Sequence, residues 1–274
     1  MSSDQLTPEM EVLKGRMKAT WMAGDFGVIA KQTEQPGQEF VSRLGIGPGT
    51  KVLDVACGTG NTALPEARLG ADVTGVDIAD NLIEQARARA AGEGSSAKFE
   101  VGDAEDLQFE DNSFDAVVTM FGAMFAPRPD VVASEFKRVC KSGGLIAMAN
   151  WTPQSFAGQM FKLNSKYIPP PSGITPPVMW GDEDTVRERF AEGISDLKME
   201  RIKVIFRFDM PPADVVELFK TYFGPTQVAF SKLDEAGQAA LRQDMVDLFT
   251  ANNRATDGGT ENEMEYLEVR ATKA

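Results

Sequence analysis

An apolar run that ends in a glycine turn constrains the fold of this chain more than any other stretch. Residues 52–60 read Val-Leu-Asp-Val-Ala-Cys-Gly-Thr-Gly, and residues 61–64 then begin a helical pattern. Because glycine has no Cβ, backbone N–H groups in such a turn can approach a ligand closely. The stretch therefore predicts a strand, a turn and a helix, with a small-molecule site at the turn.

Strand and helix patterns alternate from this stretch to residue 151. The predicted strands are 51–56, 72–77, 98–102, 114–120 and 145–151, and the predicted helices are 61–69, 80–91 and 130–141. Such alternation is typical of a doubly wound parallel sheet, which binds ligands at the carboxyl ends of its strands. The last of these helices is expected to be capped by Asp130 and to stop at Gly143-Gly144.

Residues 46–151 form the predicted core, and the segments on either side of it are expected to cover it. All 274 residues are expected to form a single domain. Residues 1–45 have a helical pattern, in which Trp21 and Phe26 either pack in the core or close a flap over a ligand. Residues 152–199 are aromatic-rich around a run of prolines. Prolines at that density exclude regular helix and predict an extended, inserted lid over an apolar pocket.

The C-terminal segment, residues 200–274, predicts the elements that complete the sheet. Apolar residues alternate with polar ones in its first ten positions, which is typical of a strand. The predicted strands are 200–209 and 263–270, and the predicted helices between them are 212–223 and 234–251. The glutamates expected to form a solvated face are Glu261, Glu263, Glu265 and Glu268.

Composition argues against several kinds of partner. The net charge of −13 repels phosphate backbones and anionic membrane surfaces, so no nucleic acid partner is expected. No apolar run approaches the ~18 residues of a membrane span, and the first residues show no targeting pattern. The chain is therefore expected to be cytoplasmic, and its sequence leaves the oligomeric state open between monomer and homodimer.

Histidine is absent, so no histidine can act as a catalytic base or as a metal ligand. The two cysteines, Cys57 and Cys140, lie in separate predicted elements. Neither a disulfide framework nor a metal site is therefore expected.

Polar groups stand where the predicted strands end. Asp77 closes the second strand, and its carboxylate can accept two hydrogen bonds from the vicinal hydroxyls of a ribose. The third strand ends in residues 102–105, Gly-Asp-Ala-Glu, whose carboxylate and amide groups can meet the polar edge of a purine. The fourth ends in residues 119–122. These ends predict a nucleoside site.

The glycine turn alone leaves two cofactor classes open. Gly58-x-Gly60-x-x-Ala63 matches a dinucleotide-binding pattern weakly, as in a nicotinamide-dependent oxidoreductase. The carboxylate of Asp54, in the preceding strand, disfavours a pyrophosphate but suits an ammonium group, so an amino-acid moiety fits the turn better. Ribose, adenine and an amino acid together predict S-adenosylmethionine.

Five ordered motifs resemble those of the class I S-adenosylmethionine-dependent methyltransferases. They are Val52 to Asn61, Gly75-Val76-Asp77-Ile78, Gly102 to Leu107, Ser113-Phe114-Asp115 and Arg138 to Gly144. The resemblance covers about residues 50–151 and is greatest to the ubiquinone/menaquinone-biosynthesis-type branch, whose unassigned bacterial members fix no substrate. It implies a Rossmann-like sheet of seven strands, the last antiparallel, and S-adenosylmethionine as cofactor, with S-adenosylhomocysteine as product.

The resemblance also implies roles for individual residues. The acid at Asp77 binds ribose, Ile78 packs on adenine, and backbone around the glycine turn holds the methionine part. The full set of predicted cofactor-binding residues is Trp21, Asp54, Ala56, Cys57, Gly58, Gly60, Asp77, Ile78, Leu82, Asp103, Ala104, Glu105, Thr119, Met120 and Phe121.

The predicted function is methyl transfer to oxygen, nitrogen or carbon of a small, partly apolar acceptor. Such a transfer requires the acceptor to be held in line with the donor, away from water, and requires a base only for a weakly acidic acceptor. The candidates for that base are Asp25, Tyr167, Asp182 and Tyr222. Two alternatives stay open: an NAD(P)-dependent oxidoreductase, and a non-catalytic cofactor-binding or regulatory protein.

Overall fold

Seven strands join into one sheet in the computed structural model, which describes residues 7–274. The strands are β1 (Lys51–Val55), β2 (Asp72–Asp77), β3 (Lys98–Val101), β4 (Phe114–Met120), β5 (Cys140–Trp151), β6 (Ile194–Phe208) and β7 (Thr260–Lys273). Their order across the sheet is β3-β2-β1-β4-β5-β7-β6, and β7 is antiparallel to both of its neighbours. The predicted α/β fold, a Rossmann-like doubly wound sheet with an antiparallel last strand, is confirmed.

Helices connect the strands and cover the sheet. The α-helices within residues 7–274 are α1 (Pro8–Met22), α2 (Phe26–Ala30), α3 (Glu34–Ser42), α4 (Ala63–Arg68), α5 (Asp80–Glu93), α6 (Pro129–Val139), α7 (Phe156–Tyr167), α8 (Glu183–Arg189), α9 (Pro212–Tyr222), α10 (Gly224–Ser231) and α11 (Glu235–Ala251). Short 3₁₀ turns occur at Lys31–Thr33, Ala123–Phe125 and Pro177–Gly181. No helix in this part of the chain is long and apolar enough to cross a bilayer.

β1 lies at the centre of the sheet because it is apolar on both faces. Val52, Leu53 and Val55 have no exposed surface, and β1 pairs with β2 on one side and with β4 on the other. The strand order reverses between β1 and β4, which places the turn after β1 at the point where open sheets bind ligands. A strand buried on both faces has few polar residues, and Asp54 is an exception whose carboxylate requires partners.

The junction of α6 and β5 differs from the prediction. α6 ends one residue before Cys140, where β5 begins with an extended backbone. A Cβ on Gly144 would stand 2.7 Å from the Cys140 sulfur, and the register between β4 and β5 shifts in this region. Gly143 and Gly144 therefore permit a bulge in β5 and do not stop a helix. Arg128 is the N-cap residue of α6, and Asp130 lies in its first turn.

The segment 152–199 contains more helix than its prolines predict. α7 begins after Ser155, whose Oγ accepts a hydrogen bond from the Gly158 N–H (3.2 Å) as an N-cap. The proline-rich residues 168–176 lie outside helices and are mostly exposed. β6 begins at residue 194, so the predicted end of the lid falls inside this strand.

α10 is also absent from the sequence prediction. Its first residues, Gly224-Pro225, are typical of a turn, although proline is equally compatible with the first turn of a helix.

β6 and β7 form a long antiparallel ribbon at one side of the sheet. Their register pairs Phe206 with Asn262 and Phe208 with Thr260. Because side chains alternate along a strand, these four residues and Met264 share one face of the ribbon. All five are buried, and α7 and α11 pack against β7.

Glu268 of β7 is buried, so the expected solvated face does not include it. Its Oε2 accepts hydrogen bonds from Nε (2.9 Å) and Nη2 (2.7 Å) of Arg43, and the same guanidinium donates to the Tyr266 hydroxyl (2.8 Å). Arg270 Nε lies 3.3 Å from the other carboxylate oxygen. Since Arg43 follows α3 directly, a buried ion pair attaches the N-terminal segment to the sheet.

We expect Arg43→Met to lower the free energy of unfolding by about 3 kcal/mol, because it leaves a buried carboxylate without its main partner. Adding Glu268→Leu should restore at least half of that loss, since the buried charge is then also gone. Urea titration measures both values. Arg68→Met is the control, because it removes only the exposed pair with Glu93 (2.6 Å) and should cost less than ~1 kcal/mol. Equal losses in the single and double variants would contradict this interpretation.

Candidate functional site

A cavity of ≈ 1560 Å³, its solvent-open mouth included, lies against the carboxyl ends of the parallel strands. We call one part of its wall the polar half, which consists of Lys14 of α1 together with Ala56, Cys57, Gly58, Thr59, Asn61, Thr62, Asp77, Ile78, Leu82, Gly102, Asp103 and Ala104. The other part, the aromatic half, consists of Trp151, Phe156, Ala157, Met160, Phe161, Phe206, Phe208, Phe219, Phe223, Phe249, Asn262 and Met264. Further wall residues come from the N-terminal helices and from the end of β4.

The turn after β1 presents its backbone to the polar half. Ala56 and Gly58 both have positive φ, 55° and 54°, which for Ala56 is an uncommon, strained conformation. A Cβ built on Gly58 meets no atom within 4 Å, so the space beside this glycine is open. Burial raises the pKa of the Cys57 thiol well above its ordinary value, so this wall residue is a neutral thiol and not a thiolate nucleophile.

Asp77, at the end of β2, holds the turn in place. Its Oδ2 accepts a hydrogen bond from the Gly58 N–H (2.9 Å), and its Oδ1 accepts one from the Ala79 N–H (2.9 Å). Burial raises the pKa of Asp77, while the two backbone donors act in the opposite direction. A carboxylate has about four lone-pair sites, so Asp77 can still accept hydrogen bonds from a ligand in the cavity.

The ends of β2 and β3 supply the rest of the polar half. Ile78 and Leu82 are apolar wall residues, and Asp103 and Ala104 follow β3 on the same wall. This arrangement brings together a carboxylate that can accept ribose hydroxyls, apolar surface for a purine, and polar groups for its edge.

Lys14 reaches the polar half from α1, although no sequence motif marks it. Its Nζ lies 2.6 Å from Asp103 Oδ2 and 2.7 Å from Glu105 Oε2. The Glu105 carboxylate is buried and also pairs with Arg128 (2.8 Å). Glu105 is therefore a structural anchor for α1, and it does not line the cavity.

Asp54 lies behind the turn, which corrects the expectation that its carboxylate faces a ligand. The side chain is fully buried, is not part of the wall, and its Oδ2 accepts a hydrogen bond from the Thr62 hydroxyl (2.5 Å). Burial raises the pKa of Asp54 to about 7. Neighbouring Glu66 is equally buried, and neither of its carboxylate oxygens has a hydrogen-bond partner. Burial and the Asp54 charge raise the pKa of Glu66 well above its ordinary value.

Arg89 and Asn61 support the turn from the side of the flap. Arg89 Nη1, on α5, donates to the Thr59 carbonyl (2.9 Å) and to Asn61 Oδ1 (2.6 Å). Asn61 Nδ2 in turn donates to the Ala30 carbonyl (2.7 Å) and to the Thr33 hydroxyl (2.9 Å). Sequence periodicity places Arg89 on a helix but gives no sign of these long-range partners.

The N-terminal segment covers the cavity with aromatic rings. Trp21 and Phe26 both line it, and their ring centroids are 5.7 Å apart. Trp21 also meets Phe125 after β4 (4.8 Å) and Phe223 at the start of α10 (6.0 Å) edge to face. These contacts connect the flap to the end of β4 and to the aromatic half of the wall.

The end of β4 marks the boundary between the two halves. Phe121 has φ +60°, a strained value for an aromatic residue, and its ring stacks on Trp151 at 3.6 Å. Met120 also lines the cavity. A Cβ on Gly122 would stand 2.4 Å from the Ala56 carbonyl oxygen, so glycine is required for this close approach.

The structure separates the predicted cofactor residues into two groups. The residues that it brings together on the cavity wall are Trp21, Ala56, Cys57, Gly58, Asp77, Ile78, Leu82, Asp103, Ala104, Met120 and Phe121. Asp54, Gly60, Glu105 and Thr119 lie outside the wall. The Thr119 side chain is buried, and its hydroxyl accepts a hydrogen bond from the Ala123 N–H (3.2 Å).

None of the four base candidates lines the cavity. Asp25 Oδ1 caps α2 through the Gly27 N–H (3.1 Å), and Asp182 Oδ1 caps α8 through the Thr185 N–H (3.0 Å). The Tyr167 hydroxyl donates to Asp244 (2.7 Å) on the outer side of α7. Tyr222 contributes its carbonyl oxygen to the Asp25 N–H (3.2 Å). Their placement corrects the expectation that these residues are bases.

Sequence comparison relates the chain to known proteins. Residues 53–148 match the family model described as a methyltransferase domain. An uncharacterized protein of Mycobacterium tuberculosis is 36% identical over 276 residues, covering 100% of both chains. Demethylmenaquinone methyltransferase of Staphylococcus aureus is 35% identical over 132 residues, which are 46% of this chain and 54% of that protein.

Solved structures share the fold. The YcgJ protein from Bacillus subtilis superposes with a TM-score of 0.61 at 17% identity, covering 87% of this chain and 98% of that one. Phosphoethanolamine N-methyltransferase 2 of Haemonchus contortus, solved with phosphomonomethylethanolamine and S-adenosylhomocysteine, superposes with a TM-score of 0.53 at 20% identity, covering 88% and 53%. The chain therefore carries a methyltransferase domain at residues 53–148 and is related over its whole length to the mycobacterial protein, while the solved structures share its fold. These findings leave the methyl acceptor unassigned.

The buried acids behind the turn make stability depend on pH. Unfolded carboxyls release their protons near pH 4, whereas burial raises the pKa of Asp54 to about 7 and raises the pKa of Glu66 as well, so the native state keeps these protons to higher pH. The native state therefore holds more protons in this window, and stability falls as pH rises through it. We expect Glu66→Gln to flatten that fall between pH 5 and pH 8, because glutamine carries no proton that the folded state can hold more tightly than the unfolded state.

Urea unfolding at the two pH values measures the difference. The control is Glu93→Gln, which also neutralises a helical glutamate but at an exposed position. It should retain the wild-type dependence on pH. Parallel curves for the wild type and Glu66→Gln would contradict a contribution from the buried acid.

Proposed function

We propose that the protein transfers a methyl group from S-adenosylmethionine to a small, partly apolar acceptor bound in the aromatic half of the cavity. The observation that carries the proposal is that one continuous cavity joins the glycine turn and Asp77 to a wall of phenylalanines. Donor and acceptor bound there would lie beside each other, shielded from water. The net charge of −13 also supports a small molecule over a nucleic acid as the acceptor.

The polar half fits the proposed cofactor. Space is open beside Gly58, and Asp77 retains lone pairs at the same wall. In this proposal Asp77 accepts hydrogen bonds from the ribose, Ile78 and Leu82 pack on the adenine, and Asp103 meets its polar edge. The backbone of the turn holds the amino-acid end.

When bound, S-adenosylmethionine supplies an electrophilic methyl carbon, and the electrons of its carbon–sulfur bond stay on sulfur as an acceptor lone pair forms the new bond. The contribution of this chain is to orient the acceptor and exclude water, and such placement can lower a barrier by ~7–11 kcal/mol. No residue of the aromatic half, among those that the structure describes, has a titratable side chain. An acceptor that must lose a proton would therefore release it to water at the open mouth of the cavity, before it is enclosed or after the transfer.

The methyltransferase domain at residues 53–148 favours this function over the two alternatives left open by the sequence. The position of Asp77 does not separate it from an oxidoreductase, because an acid at the end of the second strand also binds the ribose of a nicotinamide dinucleotide. A protein without catalytic activity would not require a large apolar space beside the cofactor site. Isothermal titration with S-adenosylhomocysteine and with NADH distinguishes the first alternative, and transfer of labelled methyl groups to a metabolite panel distinguishes the second.

We expect S-adenosylhomocysteine to bind the wild type at least tenfold more tightly than NADH does. Asp77→Asn should weaken S-adenosylhomocysteine by roughly tenfold or more, because it replaces a charged hydrogen-bond acceptor of the ribose by an amide. The matched control is Asp72→Asn, the same change at the exposed first residue of β2, which should leave binding unchanged. Tighter binding of NADH, or equal effects of the two substitutions, would overturn the assignment.

A further inference from the structure

Asn262 of β7 is an isolated polar group in the aromatic half of the cavity. Its side chain is 1% exposed, and it lines the cavity beside Phe206, its partner across the ribbon. Among residues 7–274, the aromatic half has no other amide and no hydroxyl or charged side chain, and the indole N–H of Trp151 is its one further polar side-chain group. A buried polar group costs free energy unless it is hydrogen-bonded, so the bonding of this amide is informative.

Only one of the two polar atoms of the Asn262 amide has a hydrogen-bond partner. Asn262 Nδ2 donates to the Phe249 carbonyl of α11 (3.2 Å), whereas Oδ1 is buried without a hydrogen-bond partner. A carbonyl oxygen accepts only from a donor, so the bond to Phe249 places the nitrogen on that side and leaves the oxygen free. The orphan atom is therefore a hydrogen-bond acceptor held in a fixed position.

We propose that Asn262 is the polar anchor of the acceptor site: Oδ1 accepts a hydrogen bond from an N–H or O–H group of a neutral acceptor with a flat, apolar body. This inference rests on the proposed function and specifies the class of acceptor. Phenylalanine rings around Asn262 provide flat apolar surface, and the amide supplies orientation, as in small-molecule sites with few polar groups. Asn262 is a specificity-determining residue and not a base, because an amide oxygen does not take a proton at neutral pH.

The same wall disfavours charged acceptors. An acceptor that carries a carboxylate or a phosphate would require a nearby cation. Lys14 is the cationic side chain on the described wall, and it already pairs with Asp103 and Glu105 at the opposite, polar half. An anion in the aromatic half would thus be desolvated without a partner, at a cost of several kcal/mol by general principle. The chemistry of this wall differs from what a phosphorylated acceptor would require.

A matched set of probes tests the anchor. 2-Naphthol has a flat apolar body and an O–H donor. In 2-fluoronaphthalene a fluorine atom of similar size replaces the hydroxyl group, so the donor is absent. 2-Naphthoate carries a negatively charged carboxylate on the same ring system. Equilibrium dialysis measures the binding of each probe to the full chain, with and without S-adenosylhomocysteine. We expect 2-naphthol to bind roughly tenfold or more tightly than 2-fluoronaphthalene, since only the former satisfies the buried oxygen, and 2-naphthoate to bind most weakly.

Asn262→Leu should remove the preference for 2-naphthol and bring it to the level of 2-fluoronaphthalene. The control is Asn150→Leu, the same substitution at an asparagine of β5 that is fully buried, has neither amide atom hydrogen-bonded to a side-chain or backbone partner, and lies off the cavity wall. It should preserve the preference. Binding of S-adenosylhomocysteine within about twofold of wild type verifies that each variant is folded.

Equal affinity of the wild type for 2-naphthol and 2-fluoronaphthalene would overturn the role of Asn262, and so would a failure of both probes to bind. An equal loss of the preference for 2-naphthol in the Asn262→Leu and Asn150→Leu variants would overturn it as well. Failure of S-adenosylhomocysteine to bind would instead overturn the proposed function. The probe comparison without S-adenosylhomocysteine still decides the role of Asn262 in that case.

Discussion

The hydrogen bond between the Gly58 N–H and Asp77 is the contact on which the rest of the site depends. It fixes the turn after β1 against the end of β2 at 2.9 Å and leaves the space beside the glycine open. Two further sets of contacts support the turn: Asp54 and Thr62 from behind, and Arg89 from α5. Because these partners come from different elements, the turn is held by tertiary structure as much as by its own glycines.

The two halves of the cavity have different origins in the chain. The polar half comes from the ends of consecutive parallel strands, which the doubly wound topology brings to one edge of the sheet. The aromatic half comes from α7, α9, α11 and the β6–β7 ribbon, which follow the parallel core. Phe121 and Trp151 lie stacked where the halves meet, so the same aromatic pair contacts both regions.

The features that could be predicted from the sequence are those that patterns of neighbouring residues determine. Strand ends, the glycine turn and Asp77 were predictable because strand–turn–helix patterns and the sheet rule fix their positions. Residues whose role depends on a distant partner were not: Lys14 of α1 pairs with Asp103 after β3, and Asn262 of β7 donates to the carbonyl of Phe249 on α11. The base candidates failed for a related reason, since Asp25 and Asp182 are acids that cap helices, and sequence alone does not separate capping from catalysis.

The division of the wall has a consequence for how such proteins diverge. Side chains of the aromatic half project from helices and outer strands that make no part of the glycine turn, so they can be exchanged while the contact between Gly58 and Asp77 stays intact. Proteins built on this scaffold can therefore change the molecule that they recognise by a few substitutions in the aromatic half of the cavity. The polar half tolerates fewer changes, because the glycine turn depends on contacts with β2, with α5 and with the residues behind it.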